Sequence, residues 1–197
     1  NLANNNSLAN ITALPSSITG GAMTLLATQT ASGSANLSFT SGIDSTYDSY
    51  VFKFYNIHPA TNGTFFQFNM STDSGSNYNV AKTTTAFYAY HTESGSASAL
   101  TYDAGQDLAQ GTGFQNLLYA ISSDNDSAGS GELSIYSPSS DTFVKHFLAT
   151  SNTAATTPYT INFRYAGYGN TTSAVNAIRF QMSSGNFDGV IKLYGVS

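Results

Sequence analysis

Apolar and polar residues alternate along many short segments of this chain. The clearest examples are residues 66–70 (FQFNM), 159–165 (YTINFRY) and 178–182 (IRFQM), in which every second side chain is apolar. Such alternation is typical of β-strands with one buried and one solvent-facing side. No segment has the repeat of a long helix, so the pattern predicts an all-β protein.

Strand-like segments recur at short intervals and are separated by turns rich in Gly, Ser, Asn and Asp. This spacing predicts about ten strands in an antiparallel two-sheet sandwich, jelly-roll-like, formed by residues 22–197 as a single domain. The closing segment is apolar on both sides, so we expect it to lie centrally in a sheet. The predicted strands are 22–30, 36–40, 50–57, 66–70, 84–91, 114–122, 131–136, 142–150, 159–165, 178–182 and 187–196.

The segment 50–78 has the densest aromatic pattern, and we expect the sandwich to be organised around it. Its two strands are joined near Asn62-Gly63, and an Asn-Gly pair between alternating runs is a strong hairpin signal. The strands on either side are therefore predicted to pair with each other. Pro59 is expected just outside the paired region, because proline cannot donate a ladder hydrogen bond.

Residues 71–78 (STDSGSNY) match the Asp-box pattern, Ser-x-Asp-x-Gly-x-x-aromatic. We expect the Asp73 carboxylate to accept backbone N–H bonds, Gly75 to adopt a positive φ and the aromatic ring to plug a hairpin base. Asp boxes occur in sialidases, where they are structural. The arginine cluster of such an enzyme cannot be built from Arg164 and Arg179 alone, so we interpret the motif as a turn.

A long polar segment, 92–113, is rich in Gly, Ser and Ala. Structureless loops longer than about 12–15 residues are uncommon in compact domains. We therefore expect either a projecting loop or a short helix near 104–110. If the protein recognises a ligand, this segment is a candidate place for it.

Residues 1–21 have only sparse apolar positions, and Pro15 would break a helix there. We predict an extended N-terminal arm that ends at Gly20-Gly21. It is either a free leader or a tether that docks on a neighbouring subunit. The candidate subunit or capsid anchors are Leu2, Leu8, Ile11, Leu14 and Ile18.

The composition restricts the kinds of protein and partner to which the chain can correspond. Charged residues make up 9% of the chain, against about 25% in typical soluble domains, and Ser, Thr, Asn and Gly provide most of the polar surface. The net charge is −5 without a basic run, so we expect no nucleic-acid partner. No apolar span and no basic-then-apolar leader is present, so we expect neither a membrane partner nor a signal peptide.

The chain has no cysteine. A protein that folds in a reducing host cytoplasm and is later exposed outside the cell would have this combination of features. Virion proteins of bacteriophages have that life history. A disulfide-free bacterial surface protein is the alternative.

Candidate chemistry is sparse. Residues 124–129 (DNDSAG) resemble the start of a calcium loop, but the position of the bidentate glutamate is Ile135, and Glu132 comes three residues early. There is no Gly-x-Ser-x-Gly elbow for a serine hydrolase, whereas the eleven acids leave a glycosidase carboxylate pair open. We expect no enzyme activity, metal or cofactor. The histidines lie far apart, without ligand spacing: His58, His91 and His146.

Two blocks of sequence resemble a module of virion structural proteins of tailed phages. They are SFTSGIDSTYDSYVFKFYNIHPATNGTFFQFNMSTDSGSNY and the closing GNFDGVIKLYGVS. Those proteins have a similar aromatic strand, a Pro-Ala-Thr-Asn/Asp-Gly turn and a Ser-Thr-Asp-x-Gly-Ser turn. The resemblance covers most of residues 22–197 and carries no catalytic motif. It implies an all-β surface component, namely a head decoration protein, a head fibre or part of a tail fibre.

These observations predict a non-enzymatic virion protein that is displayed on the particle surface, most simply a capsid decoration or head-fibre protein. Its expected partners are other virion proteins and copies of itself, since several strands have apolar residues on both faces. One alternative is a tail-fibre module that binds host glycans through exposed tyrosines. A second is an extracellular bacterial carbohydrate-binding domain. The absence of Trp is unfavourable to both glycan alternatives.

Overall fold

The computed structural model describes residues 23–197, and this part of the chain is all-β. Among these residues, no helix is long and apolar enough to cross a membrane. The twelve strands are β1 Thr24–Ser34, β2 Asn36–Phe39, β3 Ser49–Pro59, β4 Thr64–Ser71, β5 Lys82–Thr92, β6 Ser98–Tyr102, β7 Gln115–Ile121, β8 Gly129–Tyr136, β9 Lys145–Ala154, β10 Tyr159–Gly169, β11 Ala177–Met182 and β12 Phe187–Val196.

The strands form two antiparallel sheets. The large sheet has eight strands in the order β1-β12-β3-β8-β9-β10-β5-β6, and the small sheet has four in the order β2-β11-β4-β7. Apart from β5, β6, β9 and β10, which all belong to the large sheet, eight strands remain. When these eight strands are renumbered 1 to 8 along the chain, the large sheet has the order 1-8-3-6 and the small sheet has the order 2-7-4-5. That arrangement is the double-sheet jelly roll. The predicted two-sheet sandwich is therefore confirmed.

The other four strands extend the large sheet on one side. Strands β9 and β10 follow β8 as consecutive antiparallel neighbours, and β5 and β6 continue the sheet beyond β10. The small sheet has no counterpart to this extension, because its last strand is β7. The two sheets are therefore unequal in width, and part of the inner face of the large sheet projects past the small one.

Phenylalanines from both sheets fill the space between them. Phe52 and Phe54 of β3 have no exposed surface, nor do Phe66 of β4 and Phe180 of β11. The rings of Phe66 and Phe180 stack with centroids 5.6 Å apart, and Phe54 contacts Phe66 at 5.4 Å. Because each fully buried aromatic side chain removes about 150–250 Å² from water, this cluster accounts for much of the hydrophobic stabilisation.

The predicted pairing across Asn62-Gly63 is wrong. Strand β3 pairs with β12 and β8 in the large sheet, whereas β4 pairs with β11 and β7 in the small one. The turn carries the chain from one sheet to the other. Pro59 is also inside the paired region, since it is the last residue of β3 and lies opposite Phe187. A strand end tolerates proline because one missing donor there leaves the rest of the ladder intact.

The polar segment 92–113 is neither a structureless loop nor helical. It contains β6, an edge strand whose side chains are all exposed and which pairs with the second half of β5. Strand β12 is not central either, because it is second from the edge, between β1 and β3. Its inner residues Ile191 and Leu193 are buried, whereas the outward Val190 and Tyr194 are half-buried.

The predicted arm and its anchors Leu2, Leu8, Ile11, Leu14 and Ile18 lie outside the described residues. The arm remains a prediction from the sequence.

Candidate functional site

The extension of the large sheet creates the most site-like feature of the molecule. Strand β7, at the edge of the small sheet, lies over β9 and β10. Strand β5 is next in the large sheet, and β7 contacts its inner face through the hydrogen bond between Thr84 and Gln115. The two halves of β5 are enclosed in different ways.

Residues 103–114 close the first half of β5. Lys82 and Gly111 form a bridge with reciprocal backbone hydrogen bonds of 2.8 and 3.0 Å. The Leu108 N–H donates to the hydroxyl of Thr84 at 2.8 Å, and that hydroxyl donates to the side-chain oxygen of Gln115 at 2.8 Å. The segment therefore runs from the edge of the large sheet to the start of β7 and seals this side of the sandwich.

The second half of β5 is left open and borders a cavity of about 350 Å³. Tyrosines predominate in its lining, and we call this cavity the tyrosine groove. They come from three strands that are distant in sequence: β5, β7 and β10. The groove is lined by Tyr88, Tyr90, Thr92, Ala97, Tyr119, Thr157, Tyr159 and Ile161.

Contacts between rings hold the tyrosines in place. Tyr119 stacks on Phe163 with centroids 5.3 Å apart, and Tyr88 contacts the same phenylalanine at 5.0 Å. Tyr90 contacts Tyr159 at 5.6 Å and Tyr88 at 6.1 Å. Phe163 is itself buried, so the groove has a floor that belongs to the core.

The groove contains no charged side chain. Burial raises the pKa of Tyr88, with a further contribution from the negative charge of Asp103, and burial also raises the pKa of Tyr159. Both phenols are therefore protonated at neutral pH and can donate hydrogen bonds. A protonated phenol with a raised pKa is a poor general base.

A second surface lies on the outward side of the same sheet extension. Leu100 is 75% exposed, Leu148 is 51% exposed and Phe87 is 39% exposed. Phe87 lies directly opposite Tyr102 of β6, and Leu148 lies opposite Ser134 of β8, two residues before Tyr136. We call this surface the outer apolar patch, and its members are Phe87, Leu100, Tyr102, Tyr136 and Leu148.

The Asp-box segment forms a hydrogen-bonded turn. The Asp73 carboxylate accepts bonds from the Ser71 hydroxyl at 2.6 Å and from the Asn77 backbone N–H at 2.8 Å. These bonds lower the pKa of Asp73 to about 2. Gly75 has a φ of +89°, which a residue with a side chain rarely adopts. The turn leads from β4 in the small sheet to β5 in the large one, so the expected hairpin base is absent.

Tyr78 contacts a cation instead of closing a hairpin. The guanidinium of Arg179, on β11, lies 4.1 Å from the centre of the Tyr78 ring. This contact links the turn to the small sheet through a cation–π interaction. Arg179 also donates to the hydroxyl of Ser38 at 2.9 Å. Both partners of Arg179 are structural.

The Asn62-Gly63 turn is tied to the end of β7. The side-chain oxygen of Asn62 accepts from the Ser123 N–H at 3.0 Å, and the Gly63 N–H donates to the Ile121 carbonyl at 2.9 Å. Gly63 has a φ of +72°. The turn therefore connects the two sheets, whereas the sequence pattern predicted a turn between two strands that pair with each other.

Within residues 23–197, no three His, Asp or Glu side chains lie close enough together to hold a metal ion. In the calcium-like segment, Asp124 accepts a hydrogen bond from the Ser122 hydroxyl at 2.9 Å, as in an ordinary turn. His58 contacts the Ser127 carbonyl at 2.7 Å, and His146 packs against Tyr168.

Two buried lysines were not anticipated from the sequence. Lys82 is 0% exposed, and its ammonium donates to the Asn69 side-chain oxygen at 2.6 Å and to the Val80 carbonyl at 2.8 Å. Desolvation lowers its pKa from 10.5 to about 7. Lys145 is also buried and donates to the carbonyls of Ser140 and Phe143.

Comparisons of the chain with protein-family models, with curated proteins and with solved structures found no match. The class of protein that the fold defines is a jelly-roll β-sandwich with an extended large sheet.

Proposed function

We propose that this chain is a non-enzymatic structural protein on the surface of a tailed-phage virion. Within that class we favour a head decoration or head-fibre protein that is held to the particle through residues 1–21. The observation that supports this proposal best is the outer apolar patch. It presents large apolar side chains around the exposed Arg164, which lies opposite Phe87 on the same sheet face, as a surface that packs against other subunits can do.

The outward face nearer the other edge of the large sheet carries both charged and apolar side chains. Lys192 lies opposite Lys53 there, and Lys53 is 3.8 Å from Glu132. Leu25 of β1 and Tyr55 of β3 are exposed in the same part of the sheet. Four exposed large apolar side chains lie on the strands that extend the jelly roll, namely Phe87, Leu100, Tyr102 and Leu148. Strand β6 adds an unpaired sheet edge among the described residues, and unpaired edges can be covered by another chain.

The fold is compatible with this proposal. Jelly rolls recur in viral capsid proteins and in lectins, so the architecture agrees with a particle component without selecting one function. The resemblance of residues 38–78 and 185–197 to phage virion modules is the second line of support. The low charge and the Ser/Thr/Asn-rich surface are the third.

A substitution in the patch tests the packing role. We expect Leu148→Asp to reduce self-association or incorporation into particles, because it places a carboxylate in the contact surface. Thr28→Asp adds the same charge to an exposed site on β1, near the other edge of the same sheet, and is the matched control. Sedimentation of the purified variants and immunoblots of purified particles measure the two effects. Equal assembly of both variants would contradict the proposal.

Copy number tests the virion assignment itself. Quantitative mass spectrometry of purified particles should find this chain in a fixed ratio to the major capsid protein. Its absence from particles would refute the proposal. Deletion of residues 1–21 tests the tether, since a truncated protein that still joins particles would need no arm.

A further inference from the structure

We propose that the tyrosine groove is a binding site for a neutral saccharide. The inference is independent of the virion role, because it depends on the groove and not on the outer apolar patch. Sites for small ligands are typically concave, mostly apolar and about 300–1,000 Å³ in volume. The groove, at about 350 Å³, falls at the lower end of that range. Its size suits one or two sugar rings.

The lining provides both kinds of contact that a sugar needs. Tyr88, Tyr90, Tyr119 and Tyr159 offer ring surfaces, on which the apolar C–H faces of a pyranose can stack. The same residues carry hydroxyl groups, and Thr92 and Thr157 add two more. A tyrosine combines an apolar body with a polar end, so this lining is amphipathic throughout.

The charges in and near the groove indicate which class of saccharide it can bind. No Lys, Arg or His lines the groove, so a carboxylate or sulfate group would have no counterion there. Asp103 is close enough to raise the pKa of Tyr88. Its negative charge would repel an acidic sugar. A neutral glycan is the ligand that this electrostatic environment favours.

The site is organised before a ligand arrives. Tyr119 and Tyr88 are held against the buried Phe163, and Tyr90 is held against Tyr159. Side chains that are already ordered lose little conformational entropy on binding. The β5–β6 turn, through Ala97, and the β9–β10 connection, through Thr157, bound the groove at the ends of the strands. A compact ring fits this enclosure better than an extended peptide does.

The position of the groove also supports a role in recognition. It is built on β5 and β10, which are additions to the eight strands of the jelly roll, together with Tyr119 from the edge of the small sheet. These additions also contribute buried residues to the core, such as Phe163 of β10. The extension therefore adds a concave surface while the jelly roll provides a rigid support.

Affinity electrophoresis tests the proposal directly. The full chain is run in native gels that contain dextran, laminarin or galactomannan, and a printed panel of neutral and sialylated oligosaccharides widens the search. We expect retardation by at least one neutral glycan. Tyr90→Ala and Tyr159→Ala should weaken that binding at least about tenfold, the loss expected for an aromatic anchor at the centre of a site. Tyr136→Ala removes an exposed tyrosine from the opposite face and should bind like the natural chain.

Circular dichroism and the unfolding midpoint establish whether each variant is folded. If Tyr90→Ala is not folded, Tyr90→Phe, which keeps the ring, replaces it. The proposal would be overturned by no binding of any neutral glycan, by full binding in both alanine variants, or by a preference for sialylated glycans. Binding of a proline-rich peptide that no glycan displaces would also overturn it. Because Leu148→Asp should leave glycan binding unchanged, failure of the virion proposal and failure of this one can be told apart.

Discussion

The inner face of the large sheet has two aromatic regions. One is rich in phenylalanine and the other in tyrosine, whose ring carries an additional hydroxyl group. Under the small sheet the aromatic residues are mostly phenylalanines, such as Phe52, Phe54 and Phe187, and they are buried. On the sheet extension they are mostly tyrosines, such as Tyr88 and Tyr90, and they are half-buried. On this face, phenylalanine therefore occurs where the ring is enclosed, and Tyr88, Tyr90 and Tyr159 occur where one side stays open.

The cost of burying a hydroxyl explains this difference. A buried hydroxyl without a partner costs about 1–3 kcal/mol, so a closed core favours phenylalanine. At the open groove, water or a ligand can satisfy the phenol. Tyr50 and Tyr165 are buried exceptions. The Tyr50 hydroxyl donates to Asp44 at 3.0 Å, whereas the Tyr165 hydroxyl has no partner in the described part of the chain. The comparison teaches that the choice between Phe and Tyr marks the boundary between core and site in this fold.

The largest expected effect is a stability contrast between the two regions. Phe66→Ala should lower the free energy of unfolding by about 3–5 kcal/mol, because it leaves a cavity between two sheets. Tyr90→Ala should lower it by only about 1 kcal/mol, since that ring already faces an open groove. Chemical denaturation of both variants measures the difference. Equal losses would mean that the groove is as much a part of the core as the phenylalanine cluster is.

Lys82 provides a second test, since it lies at the closed end of the strand that also carries Tyr90. Its folded-state pKa of about 7 is below the ordinary 10.5, so between these values the unfolded chain binds a proton that the folded chain does not. The free energy of unfolding should therefore rise with pH in this window, by about 2 kcal/mol from pH 7 to 9.

The variant Lys82→Met isolates this contribution. It should remove that rise while leaving the effect of Lys145, whose pKa is lowered in the same direction by desolvation. Denaturant titrations of both proteins at pH 7 and pH 9 measure the difference between their slopes. If the variant and the natural chain have equal slopes, Lys82 is solvated in solution and the closed end of β5 is more open than the structure indicates.

The smallest expected effect concerns Tyr165, which lies between the two regions. Its hydroxyl is buried and has no hydrogen-bond partner in the described part of the chain, and its ring stacks on Phe163 at 5.1 Å. Tyr165→Phe should be neutral or should stabilise the fold by about 1 kcal/mol, because it removes an unsatisfied hydroxyl. Tyr50→Phe is the matched control and should destabilise, since it breaks the bond to Asp44. A loss of stability in Tyr165→Phe would indicate an ordered water at that hydroxyl.

Much of the local structure could be predicted from the sequence. The alternation in residues 66–70, 159–165 and 178–182 identified the strands and their buried sides, because a period of two is a property of the strand itself. Phe66, Phe68 and Met70 are fully buried, as the pattern requires. Strand β6 was missed because its side chains are all exposed, so it has no buried side to produce a pattern.

The candidate site could not be predicted in the same way. Tyr88, Tyr119 and Tyr159 come from strands that are far apart in sequence. The 92–113 segment predicted as a place for recognition contributes to the groove through Thr92 and Ala97. The tyrosine content of β5 and β10 was a signal of aromatic surface. Only the unequal width of the two sheets shows that this surface is left uncovered.

The sequence by itself determined an all-β chain, the inward side of most strands and the residues that turn between them, because these features depend on neighbours two to four residues away. The tertiary structure decided which sheet each strand joins. Asn62-Gly63 makes a turn in either case, but the partners of β3 are β12 and β8, which come from distant parts of the chain. Burial of Lys82 and the opening of the tyrosine groove follow from that assembly, since both depend on what the opposite sheet does or does not cover.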